Sequence, residues 1–305
     1  MYVSYSGFKL FSSCAYAYWH QYVNKTELDE PDDRSGSLYG SIIGIIFEDF
    51  YNEEMWRDPS TVRENLSQKV RHTTDKVIRQ ETSPSWRGAG GVIRWRGEGK
   101  DHNPKGMYSN KEELIEDIRK SIPQGLKTIK FGRFLGPYAR AEVRLDQIVQ
   151  GHKIGGRADF IIHRIKPHND IVIIDGKGSK WGGKYVDPRQ LYWYGMLYQL
   201  QHGRLPDKLG FLYWRFPPPR SIDWVEFSEA DTESLLEEVL SAIDKIEEFS
   251  SNIPAGLDFV DRMDCAKRLF KPKANENNCR FCPYATPSLC TWGASVARKI
   301  KSKKP

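Results

Sequence analysis

Two hydrophobic periods divide this chain, and the change falls at about residue 138. Upstream the spacing is helical. Phe8, Phe11, Ala15, Trp19 and Tyr22 recur at three- and four-residue steps and line one helix face, with Ser4 or Ser6 as the N-cap. Residues 37–57 read as a second helix, with Ile42, Ile45, Ile46, Phe50 and Met55 as core positions, and residues 60–80 as a third. Periodicity fails over 83–106, a long loop or small insertion. Helical patterning resumes at Ser109–Glu113, where Ser, Asn and Glu form a capping region.

Beyond 138 the period drops to two. ARAEVRLDQIV, KIGGRADFIIHRI and DIVIIDGKGS read as three strands, with turns at Gly151–His152 and Asn169–Asp170. PRQLYWYGMLYQLQH (188–202) is a helix with proline in its first turn. LGFLYWRFPPP and SIDWVEF give two more strands, and DTESLLEEVLSAIDKIEEFSS a long amphipathic helix. The predicted architecture is α/β with a mixed central sheet behind an N-terminal helical region. Its parts are a helical region with a Gly/Arg-rich insertion (1–137), a sheet and cysteine-rich segment (138–292) that packs with 1–57 as one unit, and a basic tail (293–305).

Composition narrows the class. Of 305 residues, 39% are hydrophobic and 28% charged, which predicts a packed core. No run of about 18 apolar residues marks a membrane span. The opening residues lack a basic stretch followed by a long apolar one, so no secretory signal is expected. Both readings predict an intracellular, cytoplasmic chain whose thiols stay reduced, and five cysteines there point to metal or cluster binding before disulfides. A net charge of +6 is a weak pointer to a polyanion. Basic residues gather at Arg87, Arg94, Arg96, Lys100 and Lys105, beside Trp86 and Trp95, and again at Lys177, Lys180 and Lys184. The ordinary reading of each run is a solvated face.

The third strand carries unusual chemistry. The apolar run Ile171–Ile174 ends in Asp175-Gly176-Lys177, which puts two opposite charges on one side where a buried strand leaves the sheet. Asp159 ends GGRAD on the strand before. Two close carboxylates are costly without a cation between them. Lys177 supplies part of that charge, and Mg²⁺ or Mn²⁺ would supply the rest. Such a site suits phosphodiester hydrolysis. Glu142 on the preceding strand is a further ligand candidate. Gln190 and Tyr194, four apart, share a face of the next helix. Taken alone, Asp-x-Lys is more often a surface ion pair at a strand end.

GGRAD, IIDGKGS and QLYWY together resemble the PD-(D/E)xK nuclease motifs in their RecB-like form: G-x-x-D, then D/E-x-K on the next strand, then Q-x-x-x-Y on a helix. The resemblance implies a restriction-endonuclease-like core and a metal-dependent DNA exonuclease acting on single strands or DNA ends. It makes Asp159, Asp175 and the Gly176 carbonyl metal ligands and Lys177 the catalytic lysine, with Gln190 and Tyr194 on the substrate side. It departs at Gly44, where many such members carry a histidine; Glu48 or Glu142 would substitute. Lys180, Lys184, Arg94, Trp95 and Arg96 are the candidates to grip the strand. Implied partners are DNA and a helicase, recombination or integrase protein, the last in a CRISPR-adaptation role. A virus-encoded origin fits this size, and a non-catalytic DNA-binding module is the rival class.

The cysteines leave three readings: a cluster, a zinc site, or ordinary buried thiols, for which C-x2-C with a third cysteine eight residues on is too specific. Cys279, Cys282 and Cys290 (C-x2-C-x7-C) need a fourth ligand. Cys265 is nearby and would complete a local zinc site. SYSGFKLFSSCAYAYWHQYV resembles the opening helix of iron–sulfur members, AddB-type and CRISPR-associated RecB-like nucleases among them. That resemblance implies a [4Fe–4S] cluster on Cys14, Cys279, Cys282 and Cys290, a clasp joining the two ends of the chain.

Overall fold

The computed structural model describes every residue except 29–31, 85–89, 98, 100, 101, 104, 165, 166, 181, 281 and 303–305. Trp86, Arg87 and Lys100 therefore lie outside the described residues. In chain order the elements are β1 (Tyr2–Ser4), α1 (Tyr5–Ser13), α2 (Ala15–Tyr18), β2 (Asp32–Asp33), α3 (Leu38–Asn52), α4 (Val62–Thr82), β3 (Gly91–Val92), β4 (Trp95–Arg96), β5 (His102–Asn103), α5 (Lys111–Gly132), β6 (Ala139–Val149), β7 (His152–Arg164), β8 (Asp170–Lys177), α6 (Arg189–His202), β9 (Lys208–Tyr213), β10 (Ile222–Val225), α7 (Glu229–Ser251), α8 (Phe259–Leu269), α9 (Glu276–Cys279) and α10 (Thr291–Ser302). They fall into two compact units: Met1–Glu30, Ile148–Ile154 and Ser234–Pro305, and Pro31–Gln147 with Gly155–Glu233.

The larger unit holds the mixed α/β core that the change of period predicts. Its strands run β7–β8–β9–β10, with β6 also paired to β7. β7 and β8 are antiparallel, β8 and β9 parallel, β9 and β10 antiparallel. The parallel pair needs a crossover, which α6 supplies. Val172, Ile173 and Ile174 are fully buried, which is why β8 reads as an unbroken apolar run. Phe160, Ile162, Val172, Ile174, Leu212 and Trp214 join one core with the apolar residues of α3, α4 and α5. Alternation sends Asp159, Asp175 and Lys177 to the opposite face, the side of α6.

Local chemistry sets the element ends. Asn110 caps α5 by accepting from the Glu113 N–H at 2.9 Å, and the Glu113 carboxylate accepts from the Ser109 N–H at 2.7 Å. Gln150 and Gly151 both take left-handed φ (50° and 78°) in the β6–β7 hairpin, so the turn sits one residue earlier than predicted and His152 opens β7. The helix expected over 37–57 stops at Asn52, and Met55 lies half-buried in a separate turn. Pro188 stands at the N-cap of α6 rather than within its first turn, and Gly203 (φ 70°) ends that helix.

In the smaller unit, β1 lies beside the first residues of β7, and the Lys153 N–H donates to the Met1 carbonyl at 2.9 Å. Tyr16, Tyr18, Trp19, Ile246, Ala266 and Phe270 form its core. The first helix is not continuous. Ser4 caps α1, but Cys14 is extended (φ −158°, ψ 99°) and separates α1 from α2. A wider π-type turn, Trp19–Val23, follows and leaves Tyr22 exposed instead of in the core. The segment expected as a basic tail begins inside helix α10. Among the described residues no helix is long and apolar enough to cross a membrane.

Candidate active site

Three motif pieces meet at one end of β8. The Gly176 N–H donates to Asp159 Oδ2 at 2.8 Å, which ties β7 to β8 beside the two carboxylates. Gln190, in the first turn of α6, donates from Nε2 to Asp175 Oδ1 at 3.0 Å and accepts at Oε1 from the Lys177 ammonium at 2.9 Å. Its Nε2 also lies 3.4 Å from the Tyr194 hydroxyl. Lys177 forms an ion pair with Asp175 as well. One glutamine side chain thus fixes both ends of the Asp-Gly-Lys motif and rests on the tyrosine one helical turn on.

Glycine in that motif has a packing cause. A Cβ on Gly176 would stand 2.9 Å from Nε1 of Trp214, which fills that space from just beyond the end of β9. The indole also stacks on Phe47 of α3, with ring centroids 4.1 Å apart.

Burial dominates the electrostatics. Asp175 is 2% exposed, and its carboxyl is lifted by that burial while Lys177 draws it back. Asp159 keeps some contact with solvent, yet surrounding protein raises its carboxyl well above the usual range, and Asp175 and Glu142 add to the rise. Burial, then Asp175, pushes the Tyr194 phenol up, so it stays neutral. Glu142 takes a left-handed φ of 53° within β6 and pairs with Arg157 at 2.9 Å. Glu48 is raised by burial and next by Glu142, so these two carboxylates share one electrostatic neighbourhood. A side chain at Gly44 would meet nothing within 4 Å.

Of the predicted strand-gripping residues, Lys180 is exposed with its ammonium 5.4 Å from the Tyr108 ring centre. Trp95 packs against the core of the larger unit, and Arg96 donates to Ser109 (2.7 Å) and Glu113 (3.3 Å). The Arg94 backbone N–H donates to Asp33 at 3.3 Å. Lys184 lies in the turn Gly182–Tyr185, and its side chain is outside the described residues.

Two features escaped the pattern. Arg157 stands two residues before Asp159, on the same strand face, a placement the period of β7 already contains. Arg215 donates to the Tyr108 hydroxyl (2.6 Å) and Asp117 (2.8 Å) and lies 3.4 Å over the Tyr39 ring. It follows Trp214, whose N–H donates to the Lys177 carbonyl at 3.3 Å. No spacing rule connects residues 39, 108, 117 and 215.

In the smaller unit, Cys14, Cys279, Cys282 and Cys290 line one small cavity with Tyr16, Ala17, His20 and Tyr284. Burial pushes the Cys282 thiol up to about 11, and Cys14, Cys279 and Cys290 add to the shift. Cys265, on α8, does not line the cavity, and its thiol faces the Asn252 carbonyl at 4.0 Å. Among the described residues no three His, Cys, Asp or Glu side chains stand close enough to hold an ion as placed.

Two carboxylates and a lysine thus stand at the end of β8 beneath the glutamine and tyrosine of α6. The sequence matches the PD-(D/E)XK nuclease superfamily over residues 2–290, and the chain belongs to that superfamily. No curated protein matches it. Among solved structures it is similar to a candidate exonuclease from Eubacterium rectale, at 15% identity and a TM-score of 0.46, covering 86% of this chain and 87% of that one. It is also similar to the SSO0001 protein, at 18% identity and a TM-score of 0.29, covering 57% and 75%. Both scores are too low to bear on function.

Proposed function

We infer that this chain is a metal-dependent deoxyribonuclease, an exonuclease acting on single strands or DNA ends. The observation that supports this reading is the closed network of Asp175, Gln190 and Lys177 beside Asp159. A divalent ion suits the donors present. Asp175 Oδ2 is buried with the Lys177 ammonium as its partner, while Asp159 is crowded by a second carboxylate. Oxygen donors alone suit Mg²⁺ or Mn²⁺. Asp159, Asp175 and the Gly176 carbonyl would hold it, with Glu142 or Glu48 as a further ligand.

When bound, that ion polarises the phosphoryl oxygens and lowers the pKa of a coordinated water. Lys177 stabilises the charge developing on phosphorus and orients the water. Gln190 sets where the ammonium points, and neutral Tyr194 backs the amide. Lys180, poised over Tyr108, contacts a phosphate of the strand. The test is cleavage of linear and circular single-stranded DNA with Mg²⁺ or Mn²⁺. Parent protein should degrade the linear form and spare the circle, and Asp175→Ala and Lys177→Ala should cut neither. Equal cutting by parent and variants overturns the assignment.

The same reading gives Cys14, Cys279, Cys282 and Cys290 a [4Fe–4S] cluster. Four thiols around one cavity are the matching donor set, and Cys265 is not among them. The cluster would fasten the first and last segments of the smaller unit.

A further inference from the structure

Just beyond Lys177 the chain runs through Gly178, Ser179 and Lys180, and two tyrosines meet this segment. A Cβ on Gly178 would stand 2.7 Å from the Tyr39 ring and 3.1 Å from the Gly40 backbone, so Gly178 lies directly against α3. Lys180 is exposed, with its ammonium 5.4 Å from the centre of the Tyr108 ring and in no ion pair among the described residues. Arg215, two residues past the end of β9, holds both tyrosines. Its guanidinium lies 3.4 Å over the Tyr39 ring. Its Nη2 donates to the Tyr108 hydroxyl at 2.6 Å, to Asp117 Oδ2 at 2.8 Å and to the Met107 sulfur at 3.8 Å. The Tyr108 hydroxyl in turn donates to Asp117 Oδ2 at 2.6 Å. Burial, then the hydrogen bond to Asp117, raises the Tyr108 phenol, so the hydroxyl keeps the proton it donates.

A simpler cause covers one of these contacts. A buried guanidinium needs a carboxylate, and Asp117 supplies it, which joins the end of β9 to α5. It does not account for the rest. The Arg215 side chain is 9% exposed, and its Nε and Nη1 are buried without a hydrogen-bond partner among the described residues. An ion pair kept for stability alone would satisfy them. Here the guanidinium is placed by the Tyr39 ring and by the fork of Nη2 between Tyr108 and Asp117. The outcome is geometric. With its hydroxyl fixed by Arg215 and Asp117, the Tyr108 ring is fixed in rotation, and a cation is attracted to the face of such a ring. Trp214, the neighbour of Arg215, donates from its N–H to the Lys177 carbonyl at 3.3 Å. One stretch of chain therefore touches both the lysine of the motif and the ring under Lys180.

Resting on the nuclease reading above, we propose that Arg215 is a positioning residue: it sets where the Lys180 ammonium meets a phosphate of the bound strand, by fixing Tyr108 beneath that ammonium and Tyr39 against Gly178. Arg215 does not touch the strand, and its effect passes through Lys180. Three residues of chain, at most about 10 Å, separate Lys180 from Lys177. A phosphate held at Lys180 therefore sets the register of the strand against Asp159 and Asp175.

Binding of fluorescent single-stranded DNA tests it, measured by anisotropy at several salt concentrations without divalent metal, so that no turnover is needed. Lys180→Ala should weaken binding and lower the salt slope by about one, the loss of one phosphate contact. Arg215→Met should repeat that loss, and the double variant should bind no worse than Lys180→Ala alone. Tyr108→Phe keeps the ring, removes no charge and releases the hydroxyl. It should show a smaller loss that vanishes in the Lys180→Ala background, and it stands in for Arg215→Met should that variant misfold by circular dichroism. A residue that grips phosphate itself would give a loss that adds to that of Lys180→Ala. One that only stabilises the fold would leave affinity and slope unchanged in folded variants. Either result overturns the proposal, as does Lys180→Ala with the parent's affinity and slope. A protein that cuts no DNA yet shows the non-additive pattern keeps the positioning role and loses the nuclease reading; one that cuts, with losses that add, does the opposite.

Discussion

The Lys177 ammonium donates to the Gln190 side-chain oxygen at 2.9 Å, across the 13 residues that separate a strand end from the first turn of the next helix. The same amide donates to Asp175 at 3.0 Å, so one side chain sets the spacing between acid and base. Loss of either charged group should lower kcat by at least about 10²-fold, the scale of a positioned acid–base or electrostatic group. Gln190→Ala removes only the brace and should cost about tenfold, mostly in kcat. Steady-state kinetics on single-stranded DNA check the order of these losses.

Gly176 leaves room for Trp214, whose Nε1 stands 2.9 Å from where a Cβ would be. Gly176→Ala should push the end of β8 away from the indole and cost about 1–3 kcal/mol of stability, the usual cost of overpacking. Activity should fall further than stability alone accounts for, because Asp175 and Lys177 flank the displaced residue. Chemical denaturation and activity measured on the same sample separate the two effects.

Glu142 holds a left-handed backbone in the middle of β6, a conformation glycine adopts without strain. Glu142→Gly should leave stability within about 1 kcal/mol of the parent, or raise it, while activity drops. Thermal melts paired with cleavage rates reveal this divergence. A parallel loss of both would mean that the ion pair with Arg157 is the residue's main contribution.

Cys14→Ala should abolish the cofactor, and Cys265→Ala should retain it, because Cys265 is absent from the cavity that the other four line. Iron and zinc content per chain, with visible absorbance, gives the result directly. Zinc retained in Cys14→Ala and lost in Cys265→Ala would assign a local zinc site instead.

Arg164, 6% exposed, donates to both Asp170 oxygens and, at 3.1 Å, to the Gly132 carbonyl. Hydrogen bonding and charge from Arg164 hold the Asp170 carboxyl below the usual carboxylate range. The unfolded chain therefore takes up this proton first as pH falls. The stabilisation is full above the ordinary aspartate pKa of about 3.9 and is lost as pH drops through the lower folded value. Urea midpoints measured from about pH 7 to about pH 3 should fall more steeply for the parent than for Asp170→Asn. Arg164→Met, which strands a carboxylate, should cost about 3 kcal/mol at neutral pH.

Much of this protein was legible in its residues. The period change near 138, the apolar run of β8 and the order Asp159, Asp-Gly-Lys, Gln-x-x-x-Tyr follow from local spacing, because alternation and helical pitch are properties of adjacent residues. The same rules place Asp159 and Lys177 on one face and Gln190 with Tyr194 on another. Helix continuity fails at Cys14, where the side-chain pattern runs on but the backbone does not.

Only the tertiary structure decided the rest. The parallel register of β8 and β9 brings Trp214 onto Gly176, and no sequence period encodes which strands pair. Packing against the core of the larger unit turns Trp95 inward, and the fold brings Arg215 to Tyr39, Tyr108 and Asp117. Which thiols share a cavity is likewise spatial: Cys14, Cys279, Cys282 and Cys290 line it and Cys265 does not. Loop closure grows only slowly with length, so chain distance weighed little against which thiols the fold of the smaller unit turns toward one cavity.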